Sequence, residues 1–489
     1  MNYILSCILL YGLVELGIGC SQLKGIVLYS TPYYMLHGSM SNSGVYAMLI
    51  ATVLPVALYY LLSIKNLLQR KKAIIKNLLF ALLLIYFMLA CCLLYFSMSR
   101  TSWLAAFAGC MTVVYLWRNS KINCKRTIIY SAVLIIALFL FSLFVYELKK
   151  DSADGRLLIW KVSMSIVKEH SLLGVGVGNF PGYYGEAQER YFKEEERSEH
   201  EELIAGAPEY AYNEHLQILV EHGALGLILW GCLLAFCLYK ILHSTHKSMI
   251  ALGGMFASLL VSAFFSYPFR ATPTFLLSIL VFLLILFSTN KEEKVTRKIL
   301  RYAVLVCLFA CTCYWEFSKA GTFGYQKIAK RQWGMLQIYF AQGRYEDIVD
   351  NYKVLYPYFR GNSEFLFEYG QCLSKTGDYI ESNQILSEGA KHSSDPMFFN
   401  ILGKNFNEMG DFKTAEQMFY KAYYRIPHRF YPLYLLMQLY KRQGRNEEMG
   451  KIACQIVEKQ VKIDSPDIRE MKNEAWNELN SGVRGENYR

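Results

Sequence analysis

Charged residues are scarce in this chain. Only 19% of its 489 residues are charged while 54% are hydrophobic. The apolar content lies mostly in the first 317 residues, which excludes a string of ordinary soluble domains. No basic helix with interleaved aromatics occurs, so the net charge of +11 does not point to nucleic acid. The 13 cysteines include no CxxC pair of zinc type. Cys91, Cys92, Cys110, Cys232, Cys237, Cys307, Cys311 and Cys313 lie inside apolar runs, where cysteine behaves as a small hydrophobe. Neither a metal site nor a disulfide framework is expected. HExxH is missing, which argues against a zinc protease. Gly174-Val175-Gly176-Val177-Gly178-Asn179 does not fit G-x-G-x-x-G and follows no strand, so no nucleotide cofactor is expected. The first apolar run lacks a basic start and carries Glu15, unlike a cleaved signal peptide. It is read as a retained helix, and the Cys20 at its end is not read as a lipoprotein site.

What the chain has in abundance is long apolar runs. About nine are long enough to cross roughly 30 Å of hydrocarbon, at 3–19, 43–62, 77–98, 103–117, 127–146, 223–242, 249–269, 272–288 and 299–317. With nine helices, the Lys and Arg of four short loops (Lys65 to Lys76, Arg118 to Arg126, Lys240 with Lys247, and Lys291 to Arg301) fall on one side. That side is then cytoplasmic. The opposite, non-cytoplasmic side receives the loop 148–222 and everything after residue 317. A polar segment of roughly seventy residues between membrane helices is the kind of ordered loop that carries function.

From about Gly321 a repeat takes over. Gln342-Gly343-Arg344-Tyr345, Thr376-Gly377-Asp378-Tyr379, Met409-Gly410-Asp411-Phe412 and Gln443-Gly444-Arg445-Asn446 recur at spacings of 34, 33 and 34 residues. The pattern resembles tetratricopeptide repeats, each glycine turning between two helices and the aromatic packing into the pair. Ala415 is the small contact residue of the third unit and Pro427 closes it, whereas Asn446 marks a degenerate, capping last unit. The fold class expected is therefore all-α: a polytopic membrane helix bundle over 1–317, then an α-solenoid of tetratricopeptide-like helical hairpins over 318–489 on the non-cytoplasmic side. The hairpins are a candidate surface for a protein partner.

Cations at the edge of a membrane are costly and so are usually functional or anchoring. Arg100, Arg156 and Arg270 all fall on the non-cytoplasmic face, where they have no topogenic role. Guanidinium forks suit phosphate oxygens, and a diphosphate takes more than one. Arg270 reads rather as an anchor to lipid headgroups. Gly174, Gly176 and Gly178 with Asn179 permit close backbone packing or anion binding through amides, and the acidic stretch Glu194 to Glu202 reads as a solvated face. Tyr212 to His222 reads as an amphipathic helix entering the sixth run, with Asn213 its candidate N-cap. Glu214 and His215 are its candidates for proton transfer.

Taken together these landmarks resemble the O-antigen ligase superfamily: lipopolysaccharide O-antigen ligases, O-antigen polymerases and bacterial protein O-oligosaccharyltransferases. The resemblance rests on Gly38-Ser39-Met40-Ser41-Asn42 with Ala47 and Leu54-Pro55; on Ser99-Arg100; on Gly155-Arg156 with Trp160; on Leu173 to Phe180; on Asn213 with Leu216-Gln217; and on Glu221, Gly223 and Gly226. It implies metal-independent transfer of a glycan from undecaprenyl diphosphate to an acceptor hydroxyl on the periplasmic face. The acceptor would be a lipid A core sugar or a protein Ser/Thr. The alternatives are an O-antigen or exopolysaccharide polymerase of the same superfamily, or a non-catalytic membrane scaffold. The family's diphosphate-binding arginines correspond to Arg100 and Arg156. Its proposed base is a His directly before the Asn, where this chain has Tyr212, and His215 three residues on is the expected substitute. Members usually carry more spans before the Gly38 region, so the chain reads as a shortened form or a truncated start.

Overall fold

The computed structural model describes residues 1–26, 36–40, 42–67, 73–118, 150–194, 198–288, 295–319 and 324–486, with isolated positions at 129, 132, 133 and 136. Among the described residues every regular element is a helix. Five are long and apolar enough to cross a bilayer: Asn2–Leu23, Ser43–Ile64, Ala73–Phe96, Glu214–His243 and Ser248–Phe265. The last two expected runs form the shorter apolar helices Thr272–Leu286 and Ala303–Tyr314. The run at 103–117 lies in the helix Arg100–Arg118, whose first turn, Arg100-Thr101-Ser102, is polar. Most of the run at 127–146, the basic residues at 70–72, 121, 125, 126, 291 and 294, and Arg489 lie outside the described residues.

Packing divides the chain into two compact units. One comprises Met1–Lys150, Tyr212–His215 and Leu227–Ala320; the other comprises Asp151–Ala211, Leu216–Gly226 and Gly321–Arg489. The long polar loop thus folds with the C-terminal helices.

In the first unit, small residues set how closely helices approach. A Cβ on Gly109 would lie 2.8 Å from Gly254 O and one on Gly254 2.9 Å from Gly109 O. The backbones of Arg100–Arg118 and Ser248–Phe265 therefore meet directly, as close packing between helices in lipid requires. Pro55 lies inside the helix Ser43–Leu67 and cannot donate to the carbonyl of Ala51 one turn earlier. The Ser258 hydroxyl compensates, sitting 3.2 Å from Ala51 O and 2.8 Å from Ala105 O, with its one proton shared between them. The Gly38-Ser39 turn is held by the first helix. Glu15, 2% exposed, accepts from Ser39 N (3.0 Å) and Ser39 Oγ (2.5 Å). Gln22 accepts from Gly38 N (2.8 Å) and donates to Gly38 O (2.7 Å). Gly38 has φ +61, and a side chain there would strike Tyr46 and Glu15.

In the second unit, helices 324–341 and 349–359, 363–376 and 379–390, 397–408 and 412–425, and 431–442 and 446–458 form successive hairpins, closed by Pro466–Glu486. Gly343, Gly377, Gly410 and Gly444 turn between partners with φ of +74, +92, +83 and +70, values that only glycine adopts cheaply. Ala415 is fully buried. The loop helix Phe180–Glu194 packs on Phe412–Arg425. A Cβ on Gly182 would fall on Lys391 O, and one on Gly185 would meet the Arg425 guanidinium at 2.5 Å. Arg425 is 1% exposed; it donates to Ser393 O (2.9 Å), lies 4.4 Å over the Phe399 ring and sits 3.9 Å from Glu189. Burial pushes Arg425 down to about 10 and Glu189 up. Gln188 spans the contact, donating to Gly206 O (2.9 Å) and to Arg425 O and accepting from Tyr184 (2.6 Å). The acidic stretch is only partly a solvated face: Glu201 pairs with Lys161 at 3.2 Å and Glu202 with Lys459 at 3.9 Å.

Candidate functional site

The helix Glu214–His243 starts abruptly because Tyr212, with φ +51, takes the left-handed conformation. That conformation costs a non-glycine residue about 1–2 kcal/mol and is characteristic of functional segments. The strained residue positions its neighbours. Its ring meets Tyr267 edge-on at 5.5 Å, while Glu214, 2% exposed, accepts from Phe269 N at 2.8 Å and faces Arg270 Nε at 3.9 Å. Arg270 therefore neutralises a buried carboxylate and does not merely anchor to headgroups, and Glu214 is presented as its counter-ion. A buried carboxylate without such a partner would be strongly destabilising.

His215 lies in an aromatic cage, 4.3 Å from Phe264 and 6.3 Å from Trp230. The Trp230 indole N–H donates to His215 Nδ1 at 3.0 Å. An Nδ1 that accepts leaves the proton of the neutral ring on Nε2, and Nε2 is buried with no hydrogen-bond partner among the described residues. In this arrangement His215 presents a donor. It can take up a proton only at Nδ1, after the indole has released it.

Arg100 is the first residue of its helix, where the helix dipole disfavours a cation and attracts an anion. The turn before it is fixed: Met98 has φ +52, Ser43 Oγ donates to Ser97 O (3.1 Å), and Trp103 Nε1 donates to Leu94 O (2.6 Å). In the other unit, half-buried Arg156 lies one turn before Trp160, whose indole donates to Ala211 O at 2.9 Å. That bond fixes the segment leading into Tyr212.

The glycine loop repairs a broken helix. Gly223, with φ +65 and ψ −165, interrupts Glu214–His243 and leaves carbonyls and amides without helical partners. Val175 N and Gly176 N donate to Val220 O and Glu221 O (both 2.9 Å), and Ala224 N donates to Ser171 O at 2.8 Å. Glu221 then accepts from Gly178 N (3.1 Å) and Gln217 Nε2 (2.9 Å), and Asn179 Nδ2 closes the turn on Val175 O (2.9 Å). Gly174, with φ +71, would place a Cβ 2.5 Å from Val220 O. At Gly174 the contacts are those of close backbone packing, whereas a Cβ on Gly178 would meet nothing within 4 Å.

Of the predicted residues, Arg100, Tyr212, Asn213, Glu214, His215 and Arg270 belong to the first unit, and Arg156, Gly174, Gly176, Gly178 and Asn179 to the second. Sequence reasoning missed Trp230, Phe264, Tyr267 and Phe269. Aromatics inside apolar runs carry no signal apart from the residues they touch. Gln22 was missed too, although a glutamine in an apolar helix is itself a signal.

These features describe a helical membrane protein whose polar chemistry sits at helix ends and in a braced loop. A family model described as O-Antigen ligase matches residues 85–231. Over that stretch the chain is similar to the O-antigen ligase family, a likeness that suggests a membrane glycan-transfer function. The match takes in Arg100, Arg156, the glycine loop and Tyr212 to His215, and stops short of Arg270. Comparison with curated proteins gave no match.

Proposed function

We propose that the protein is a glycosyltransferase that moves a glycan from undecaprenyl diphosphate to an acceptor hydroxyl, on a lipid A core sugar or a protein Ser/Thr, at the periplasmic face. The observation that carries this reading is the family match over 85–231, which spans the residues with the right chemistry in one stretch. A lipid diphosphate is already a good leaving group. The protein has to stabilise charge developing on it, orient the acceptor and manage one proton. Arg100 and Arg156 are assigned to the diphosphate, Arg100 with the help of its helix terminus. Arg270 contributes through Glu214, which it faces at 3.9 Å and helps hold in place. His215 is assigned to the proton: Nε2–H steadies the substrate oxygens, and Nδ1 accepts the acceptor's proton once Trp230 lets go. Tyr212 holds the acceptor by hydrogen bond, since a phenol of ordinary pKa about 10 is a poor base at neutral pH.

In this reading the chain crosses the inner membrane about nine times and the tetratricopeptide-like hairpins are periplasmic. Reporter fusions after Phe317 that are active only in the cytoplasm would overturn that topology. Deleting the gene and profiling lipopolysaccharide, capsule and glycoproteins together tests the function. Loss of one class names the acceptor, shortened polymer chains indicate a polymerase, and unchanged profiles indicate a scaffold.

A further inference from the structure

Three strongly exposed apolar side chains share one short loop of the second unit. Leu172, Leu173 and Val177 are 61%, 71% and 67% exposed. The backbone that carries them is fixed. Ala224 N donates to Ser171 O (2.8 Å), Leu225 N to Leu172 O (3.4 Å), and Val175 N to Val220 O (2.9 Å). These bonds tie the loop to the break at Gly223. Beyond the break the helix continues from Ala224 to His243, a length of about 30 Å and so of one hydrocarbon layer. Residue 224 therefore marks one boundary of the bilayer, and a loop bonded to residues 224 and 225 lies at that depth. The carboxylate beside the tip is turned inward: Glu221 is 2% exposed and is occupied by Gly178 N and Gln217 Nε2, so that the exposed polar side chains beside the tip, Ser171 and His222, include no carboxylate. What remains outward is a rigid, uncharged, apolar tip continuous with exposed Leu225. Surfaces of this composition mark membrane contact.

We propose that Leu172, Leu173 and Val177 form a lipid-binding wedge, inserted at the headgroup–acyl boundary of the leaflet where the span beginning at Ala224 emerges. The wedge is independent of the glycan-transfer reading and needs only that the helix from Ala224 crosses the bilayer. The test uses the full chain in vesicles of phosphatidylethanolamine and phosphatidylglycerol. Leu173, Val177 and, as a reference, the 71% exposed Ile463 of the C-terminal region are each replaced by p-benzoylphenylalanine and illuminated. Phospholipid adducts at 173 and 177 should exceed those at 463 several-fold. Equal yields at the three positions, or cross-links to protein alone, would overturn the wedge. A second measurement needs no variant: with a diazirine-bearing phosphatidylethanolamine in the vesicles, label should appear on the peptide containing 171–178, and an unlabelled peptide there overturns the proposal as well.

Discussion

The membrane unit and the loop-and-hairpin unit each rely on close glycine contacts, but for different ends. Where Arg100–Arg118 meets Ser248–Phe265, Gly109 and Gly254 remove side chains so that two apolar surfaces can approach, and one serine repairs the fault left by Pro55. Lipid is as apolar as leucine, so such helices gain from intimate fit more than from burial. In the second unit, Gly182 and Gly185 let a loop helix approach the Lys391 carbonyl and the buried Arg425 guanidinium, and Gln188 hydrogen-bonds the two sides together. Buried polar groups tolerate one register only, because any slip leaves them unsatisfied. The membrane unit should therefore absorb modest changes of shape, while the loop unit should hold its geometry or lose it.

The largest effect tests where the chemistry lies. Arg100→Ala and Arg156→Ala should each reduce glycan transfer by about 10²–10³-fold, as removal of a preorganised charge donor does. The lysine variants should also be impaired because a point charge does not replace a fork. Full transfer by every variant at normal protein levels would remove the diphosphate assignment from both units.

Next comes the loop's rigidity. Gly174→Ala adds a Cβ 2.5 Å from Val220 O at φ +71, while Gly178→Ala, at φ +78, meets nothing within 4 Å. The first should cost more than about 2 kcal/mol and expose the amides of Val175 and Gly176 to hydrogen exchange, whereas the second should cost about 1 kcal/mol of backbone strain. Equal costs would mean that the helix break is not held by close contact.

His215→Ala should lower transfer by about tenfold to a hundredfold, the lower range for general base catalysis, with Tyr212→Phe milder. Trp230→Phe separates the two jobs of the imidazole. If proton uptake at Nδ1 limits the rate, the variant transfers as fast or faster. If Nε2 donation limits it, the freed tautomer slows transfer.

Arg270→Ala and Glu214→Gln should not be additive, since the pair shares one buried contact. A double-mutant cycle on thermal stability should show a coupling of about 1 kcal/mol, and additivity would return Arg270 to the role of headgroup anchor.

A pH dependence belongs to the second unit. Burial holds His428 down to about 4, with Lys462, Arg429 and Lys459 adding to the shift and the bond to Glu202 O opposing it. Between that value and the ordinary 6.5 the unfolded imidazole binds a proton that the folded one does not, so stability is complete above about 6.5 and declines as the pH falls through this window. Hydrogen exchange around Glu202 should rise across that range, and His428→Gln should abolish the rise.

Sequence alone determined the helical class, the apolar runs, the repeat period, and the residues that carry the family resemblance, because periodicity and local turn chemistry are written in neighbouring residues. Gly343, Gly377, Gly410 and Gly444 could be read as turns because a left-handed turn is a local demand. Tertiary structure decided what those residues touch. Arg270 became the partner of Glu214, and the glycine loop became the repair of a helix break about 45 residues downstream. Glu15 became the clamp on Ser39, and His215 became a donor because Trp230 occupies Nδ1. It also placed the loop 151–211 with the C-terminal hairpins, a pairing fixed by Gln188 and Arg425, which stand 237 residues apart. Such contacts depend on which buried polar groups find each other in space, and no local pattern records that.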